Sequence, residues 1–393
     1  MPDLLLLALL LAAVAIGWWL GRREKWVARE PPATTPLARE YFVGLNYLLN
    51  DQQDRAIETF IGALEVNSDT IETHLALGNL FRQRGEADRA VKVHQNLLAR
   101  PAMTQDQSER VQLELARDFL HLGLLDRAER LLQGLIKEAH NGELRITAKR
   151  SLVDLLEREG EWQAAVNIAL PGLVREHEDI RRAASHWLCE LAEHERHSAS
   201  PVLARRHLKQ ALATDPRCVR ANLMLADMSM HTGHYRQAIK LLDRIPEQDP
   251  AFIPTLLAPL ARAYRLLDDE AGLIRHLQGL LDKGTFTSVV VMLADSLCRH
   301  HGNTQAALSL IVHQLDQTPS LGGLDYLLRL YQQDEGPEDQ RMNQLQQLTG
   351  KLLQALPRHR CRRCGFSGEL LHWQCPRCRK WGTTKPLSGV ESE

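Results

Sequence analysis

Gly78-Asn-Leu-Phe81-Arg-Gln-Arg-Gly85-Glu-Ala-Asp-Arg-Ala90 holds the logic of the middle of this chain. An apolar-periodic stretch ends near an aromatic, a glycine allows a tight turn, and a small residue follows five positions later. The same Gly-to-Ala step recurs at Gly123 and Ala128, Gly160 and Ala165, Gly233 and Ala238, and Gly302 and Ala307. Adding Ala56, Ala204 and Leu273 places anchors at 56, 90, 128, 165, 204, 238, 273 and 307, at intervals of 34, 38, 37, 39, 34, 35 and 34. Glycine closes the first helix of each pair, and the small anchor lets the second lie close against it. Each pair then carries an apolar face it cannot bury alone, so neighbouring pairs must stack. So many anchors in one register argue against an unrelated all-α bundle.

A period of 34 with short insertions resembles the tetratricopeptide repeat. Further positions carry the likeness: Gly44, Tyr47, Phe60 and Ala63 around Ala56; Leu208, Ala211 and Pro216 after Ala204; Tyr235, Leu242 and Pro250 around Ala238. The expected class is all-α, a tetratricopeptide-repeat superhelical solenoid with a concave groove over residues 37–356. It comprises eight repeats and a degenerate ninth, which also caps the stack. That last pair reads as Leu324 to Leu330 and Met342 to Leu356, interrupted by an Asp334-Glu-Gly-Pro337 loop. By repeat register Glu72, Asn79 and Arg82 face the groove and are the expected partner-binding residues. Cys189, Cys218 and Cys298 fall inside repeat helices and read as small core residues.

Near the other end stands Cys361-Arg-Arg-Cys364-Gly365, and ten residues separate Cys364 from Cys375-Pro376-Arg-Cys378. Each C-x2-C is a knuckle, two thiolates around a tight turn whose amides can bond to sulfur. Two facing knuckles make a tetrahedral S4 shell for one metal ion, iron or zinc. Two disulfides are the alternative, and a reducing compartment speaks against them. Residues 357–385 hold few large apolar side chains, namely Phe366, Leu370, Leu371, Trp373 and Trp381, so a metal must hold the fold. Four cysteine ligands leave no open position, which points away from metal-assisted hydrolysis. The segment carries eight Arg and Lys against Glu369, a net +7. A nucleic-acid-binding ribbon is therefore an alternative, although compensating a tetrathiolate explains the arginines equally, and the whole chain carries only −1.

Leu4 to Leu20 is an unbroken apolar run followed by Gly21, Arg22, Arg23, Lys25 and Arg29, with Trp18 and Trp19 at its end. Its length is at the short limit for crossing a hydrocarbon core of ~30 Å. A cleaved signal peptide would carry its positive charge first, whereas here the charge follows. Residues 1–21 are thus expected to form an uncleaved transmembrane helix, N-terminus periplasmic and the bulk of the chain cytoplasmic. Residues 22–36 form a proline-bearing linker, and 386–393 a tail. No catalytic residues emerge: phosphate-binding loops, nucleophile elbows and His-Glu-x-x-His are all missing from the sequence. His194-Glu-Arg-His197 reads as a solvated loop face, His300-His301 as a helix C-terminus, and His359 as a spare ligand beside a full shell.

Anchor, array and ribbon in this order resemble the lipopolysaccharide assembly protein B family of Gram-negative inner membranes. The most specific residues are Cys361-x-x-Cys364-Gly365-Phe366 and Leu371-x-Trp373-x-Cys375-Pro376-x-Cys378-x-x-Trp381. The resemblance implies a regulatory adaptor rather than an enzyme, in the inner membrane. Such a protein restrains lipopolysaccharide synthesis by promoting degradation of the committed-step deacetylase by the membrane AAA+ protease FtsH. It also helps to assemble other lipopolysaccharide synthesis and transport proteins. The rubredoxin-like ligands carry over as Cys361, Cys364, Cys375 and Cys378. Rubredoxins usually place glycine after the fourth cysteine, where this chain has Arg379, which weakens the alternative of an electron-transfer protein.

Overall fold

The computed structural model describes residues 11–19, scattered positions between 42 and 59, and 71–387 apart from 100–102, 199, 283, 285, 302–303 and 336–339. Two compact units, Met1–Ala148 and Lys149–Glu393, divide inside the helix Gly142–Glu159.

In the first unit the helices Ile71–Gln83 and Ala87–Leu98 form a hairpin, and Gln105–His121 and Leu125–Glu138 form the next. Gly85 turns the first with φ +84°, a left-handed conformation that costs glycine nothing. The turn closes through Gly85 N–H to Arg82 O and Glu86 N–H to Phe81 O, which satisfies carbonyls at the helix end. Phe81, Leu77, Ala90 and Ala56 pack into one cluster; Ile71, Leu75, Leu97 and Val111 form another. Thr104 starts the third helix with a reciprocal capping box to Gln107.

A buried polar network crosses this unit. Asp118, fully buried, accepts from Arg82 Nη1 at 2.7 Å and lies 2.5 Å from His94 Nδ1. Arg82 also donates to Glu114 and to Asn79 Oδ1. Gly78 is required beneath it, since a Cβ there would come within 2.3 Å of His94 Nε2.

The second unit continues the helix pairs from Trp162–Ala169 to Gln340–Ala355. Gly160 and Gly233 make the same positive-φ turn, and at Leu273 the corresponding position is Asp268 with φ +54°. Asp tolerates this conformation better than most residues, so the turn survives without glycine. The anchors Ala56, Ala90, Ala128, Ala165, Ala204, Ala238, Leu273 and Ala307 are all at most 1% exposed, as helices in close contact require. Gly302 lies outside the described residues.

Several local expectations need correction. His194 and His197 belong to the last turn of the helix Glu178–His197, not to a loop. Asp334 and Glu335 likewise finish the helix Leu321–Glu335. Cys218 sits at the N-cap of Val219–His231 rather than inside it; it is buried, with its Sγ 3.9 Å from that of Cys189. Cys298 is only half-buried.

The C-terminal ribbon is a three-stranded antiparallel sheet in the order β2-β1-β3: β1 His359–Cys361, β2 Ser367–Gly368 and β3 Thr384–Pro386. It runs past residue 385, for Leu387 is buried and its N–H bonds to Arg358 O at 2.9 Å. Of the expected membrane anchor, residues 11–19 are helical and exposed, while 1–10, the linker 22–36 and the tail 388–393 lie outside the described residues. Among the described residues no helix is long and apolar enough to cross a membrane.

Candidate metal centre and its seat on the repeats

The sheet brings the two knuckles face to face. Cys361 ends β1, and the chain turns at once, with Gly365 N–H bonding to Cys361 O at φ +73°. The second knuckle repeats this, with Arg379 N–H on Cys375 O at 2.8 Å. Arg379 holds φ +56°, the conformation Gly365 takes in the first knuckle. The non-glycine residue thus keeps the turn but carries its strain.

All four Sγ atoms lie within 4.8 Å of one another; Cys361 to Cys378 is 3.8 Å and Cys364 to Cys375 is 3.6 Å. A metal with bonds of ~2.3 Å to four tetrahedral sulfurs needs S–S edges of ~3.8 Å, so this donor set fits one ion. The two buried cysteines, Cys361 and Cys375, differ. Burial would raise the Cys361 thiol, but contacts from the Thr383 hydroxyl and the Cys364 and Arg363 amides outweigh it and bring it down to about 6. Burial dominates at Cys375, which is pushed up to about 12 despite amide bonds from Cys378 and Arg377. A metal bound here would supply the cross-link that ties both turns together. His359 is not part of the converging donor group, which comprises the four cysteines; its Nδ1 lies 2.9 Å from Glu369 O.

The ribbon is seated on repeat helices of the same unit. Glu157 is the pin. Its Oε2 accepts from Trp381 Nε1 of the ribbon and Trp187 Nε1 of the helix Glu178–His197, both at 2.8 Å, and its Oε1 accepts from Gln374 Nε2 at 2.8 Å. Burial raises the Glu157 carboxyl above its ordinary value, with the two indole bonds pulling the other way. Beside it, His186 stacks on Trp381 with ring centroids 5.1 Å apart, and Phe252 stacks on Trp373 at 5.3 Å. Burial and the nearby cations Arg220, Lys385 and Arg182 hold His186 well below the usual histidine range, so it packs as a neutral ring. Lys385 pairs with Asp249 and lies over the Phe252 ring at 4.4 Å. Gly382, at φ +63°, passes close under this stack, where a Cβ would come 3.3 Å from His186 Nε2.

Glu72, Asn79 and Arg82 belong to the first unit and are not brought to the metal centre. Arg82 is only 12% exposed and is committed to Glu114 and Asp118; Asn79 bonds to Arg82. Glu72 is exposed and pairs with Arg110 at 3.3 Å. Glu157 and His186, which carry the seating, gave no signal in the sequence: one is an acid in a polar helix face, the other a histidine in a helix. Only the tryptophans of the ribbon hinted that it needs an apolar partner.

Residues 199–263 and 73–107 match profiles described as tetratricopeptide repeat, and 359–386 match one described as a rubredoxin metal binding domain. The crystal structure of a tetratricopeptide repeat protein from Parabacteroides merdae aligns with a TM-score of 0.33 at 14% identity, covering 72% of this chain and 100% of that one. A protein of Escherichia coli (strain K12) named lipopolysaccharide assembly protein B is 35% identical over 392 residues, 98% of this chain and 99% of its own. Its namesake in Haemophilus influenzae is 35% identical over 409 residues, covering 100% of both chains. The chain therefore belongs to the lipopolysaccharide assembly protein B family.

Proposed function

We propose that this protein is an adaptor in lipopolysaccharide assembly, anchored in the inner membrane by residues 1–21 with its repeats in the cytoplasm. It brings the committed-step deacetylase to the membrane protease FtsH and so restrains lipopolysaccharide synthesis; other synthesis and transport proteins use the same scaffold. Support comes from full-length kinship with relatives named for lipopolysaccharide assembly. The observation that carries the adaptor reading is the seat of the ribbon. Glu157 and the Lys385–Asp249 pair fasten it to repeat helices, so the Cys361, Cys364, Cys375 and Cys378 site shapes a shared binding surface. Repeat arrays of this kind present extended surfaces to partners. Exposed Glu72 is the contact we assign to the first unit, with Asn79 and Arg82 holding the helix behind it.

The test is the deacetylase half-life after translation is stopped, in cells whose own copy is replaced by this chain. The parent should shorten it; Cys375→Ser with Cys378→Ser, and a form lacking residues 1–21, should lengthen it. Tethering matters because confinement raises effective concentration to the mM range. A half-life that stays the same when the whole protein is withdrawn would overturn the reading.

A further inference from the structure

Two adjoining clefts open in the second unit, one where the ribbon meets the repeats and one lined by the repeats alone. One, of about 320 Å³, is lined by five cations and three carboxylates, a net +2, with Phe252 and Trp373 as an apolar wall. The other, of about 440 Å³, shares Arg217 and Gln248 with it and adds Arg244, Asn222 and the carboxylate of Glu247, which is itself engaged. The carboxylates of the first are occupied: Glu178 pairs with Arg182, Asp249 with Lys385, and Asp215 accepts from the Arg217 N–H. Four arginines are not. Among the described residues, no ion pair or side-chain hydrogen bond engages the guanidinium of Arg181, Arg217, Arg244 or Arg362. Compensation of the tetrathiolate can account for Arg362, which follows Cys361, but Arg181, Arg217 and Arg244 stand on the repeats.

Of these arginines, Arg181 and Arg362 line the first cleft, Arg244 the second, and Arg217 both. Moreover, among the described residues three side chains in the walls have polar atoms without partners: Gln248 Oε1, His186 Nδ1, and both amide atoms of the fully buried Asn222. An unsatisfied acceptor calls for an N–H donor. A phosphodiester brings only acceptors, whereas a peptide brings N–H and C=O groups along its length and carboxylates at intervals. We propose that the two clefts form one docking groove for an extended acidic segment of a protein partner. Arg181, Arg217 and Arg244 take its carboxylates, Arg362 of the ribbon closes one side, and Gln248 and Asn222 meet its backbone. The proposal rests on the adaptor reading for the existence of a partner, but its chemistry does not depend on the pathway.

The experiment uses the full chain in detergent micelles and a fluorescein-labelled decapeptide of alternating Glu and Gly, followed by fluorescence anisotropy. Saturable binding that weakens with salt is expected, with Arg217→Glu weakening it by about tenfold or more, as loss of a charge-assisted contact implies. Arg181→Glu with Arg244→Glu should do the same. Arg130→Glu, a reversal at an exposed site in the first unit, should leave affinity unchanged. Thermal melts matching the parent show that the variants are folded. Equal binding by Arg217→Glu, equal binding of a labelled decapeptide of alternating Lys and Gly, or no saturable binding would each overturn the proposal. Stronger displacement by inorganic phosphate or by an oligothymidylate than by unlabelled peptide would reassign the groove to a phosphate ligand and overturn it as well. Deacetylase turnover plays no part in the readout, so failure here and failure of the adaptor reading are separable.

Discussion

Replacing Glu157 tests whether hydrogen bonding or charge seats the ribbon. Glu157→Ala removes an acceptor for three donors at 2.8 Å and leaves the indole N–H groups of Trp187, 1% exposed, and Trp381, 6% exposed, with little access to water. Each orphaned buried donor costs about 1–3 kcal/mol, so the sum is about 2–6 kcal/mol. Part of that loss falls on the repeats through Trp187 and part on the docking of the ribbon through Trp381. Glu157→Gln behaves differently. Its carbonyl can still serve both indoles while its NH2 meets Gln374, at a cost of about 1 kcal/mol for the lost bond. A seat held by charge alone would make Gln as costly as Ala, but burial already works against the Glu157 carboxylate. Hydrogen exchange of segments 180–188 and 371–387 in the full-length protein measures this. At about 1.4 kcal/mol per factor of ten, Glu157→Ala should lose protection by at least about 30-fold and Glu157→Gln by less than about tenfold. Metal content should stay at one ion per chain in both, since all four cysteines lie within the ribbon. Parent-like protection in Glu157→Ala, or equal losses in the two variants, would refute the reasoning.

Cys375→Ser with Cys378→Ser should abolish metal binding and unfold residues 357–387 while far-UV circular dichroism keeps its helical signal, because structural zinc contributes about 10–16 kcal/mol that small apolar contacts cannot replace. Ala238→Leu adds volume at a fully buried helix crossing and should lower stability by about 1–3 kcal/mol, read from denaturant unfolding; an unchanged midpoint would contradict the register of the repeats. Gly78→Ala should also destabilise, since its Cβ would sit 2.3 Å from His94 Nε2, and the loss should be relieved by a smaller residue at His94. Arg379→Gly should raise the thermal stability of the ribbon modestly, by about 1 kcal/mol, because the left-handed φ of +56° no longer strains a side chain; a fall would show that the arginine side chain matters more than its backbone.

The repeats and the metal ligands are legible in the sequence because both obey local rules. A helix pair needs a glycine turn and a small crossing residue at a fixed interval, and the anchors from Ala56 to Ala307 are buried accordingly. A knuckle needs two cysteines two residues apart, and the four Sγ atoms converge as that spacing implies. Arg82 shows where such reading stops. Its register position directs it to a groove, but only the packed structure brings Glu114 and Asp118 of another repeat against its guanidinium. The seat of the ribbon is more remote still. Glu157 and Trp381 are far apart in sequence, and nothing in either neighbourhood marks them as partners, since an exposed acid and an indole satisfied by another residue look identical in one dimension. Tertiary structure decided that pairing, because a hydrogen bond between distant segments depends on how the repeats stack and where the folded ribbon comes to rest.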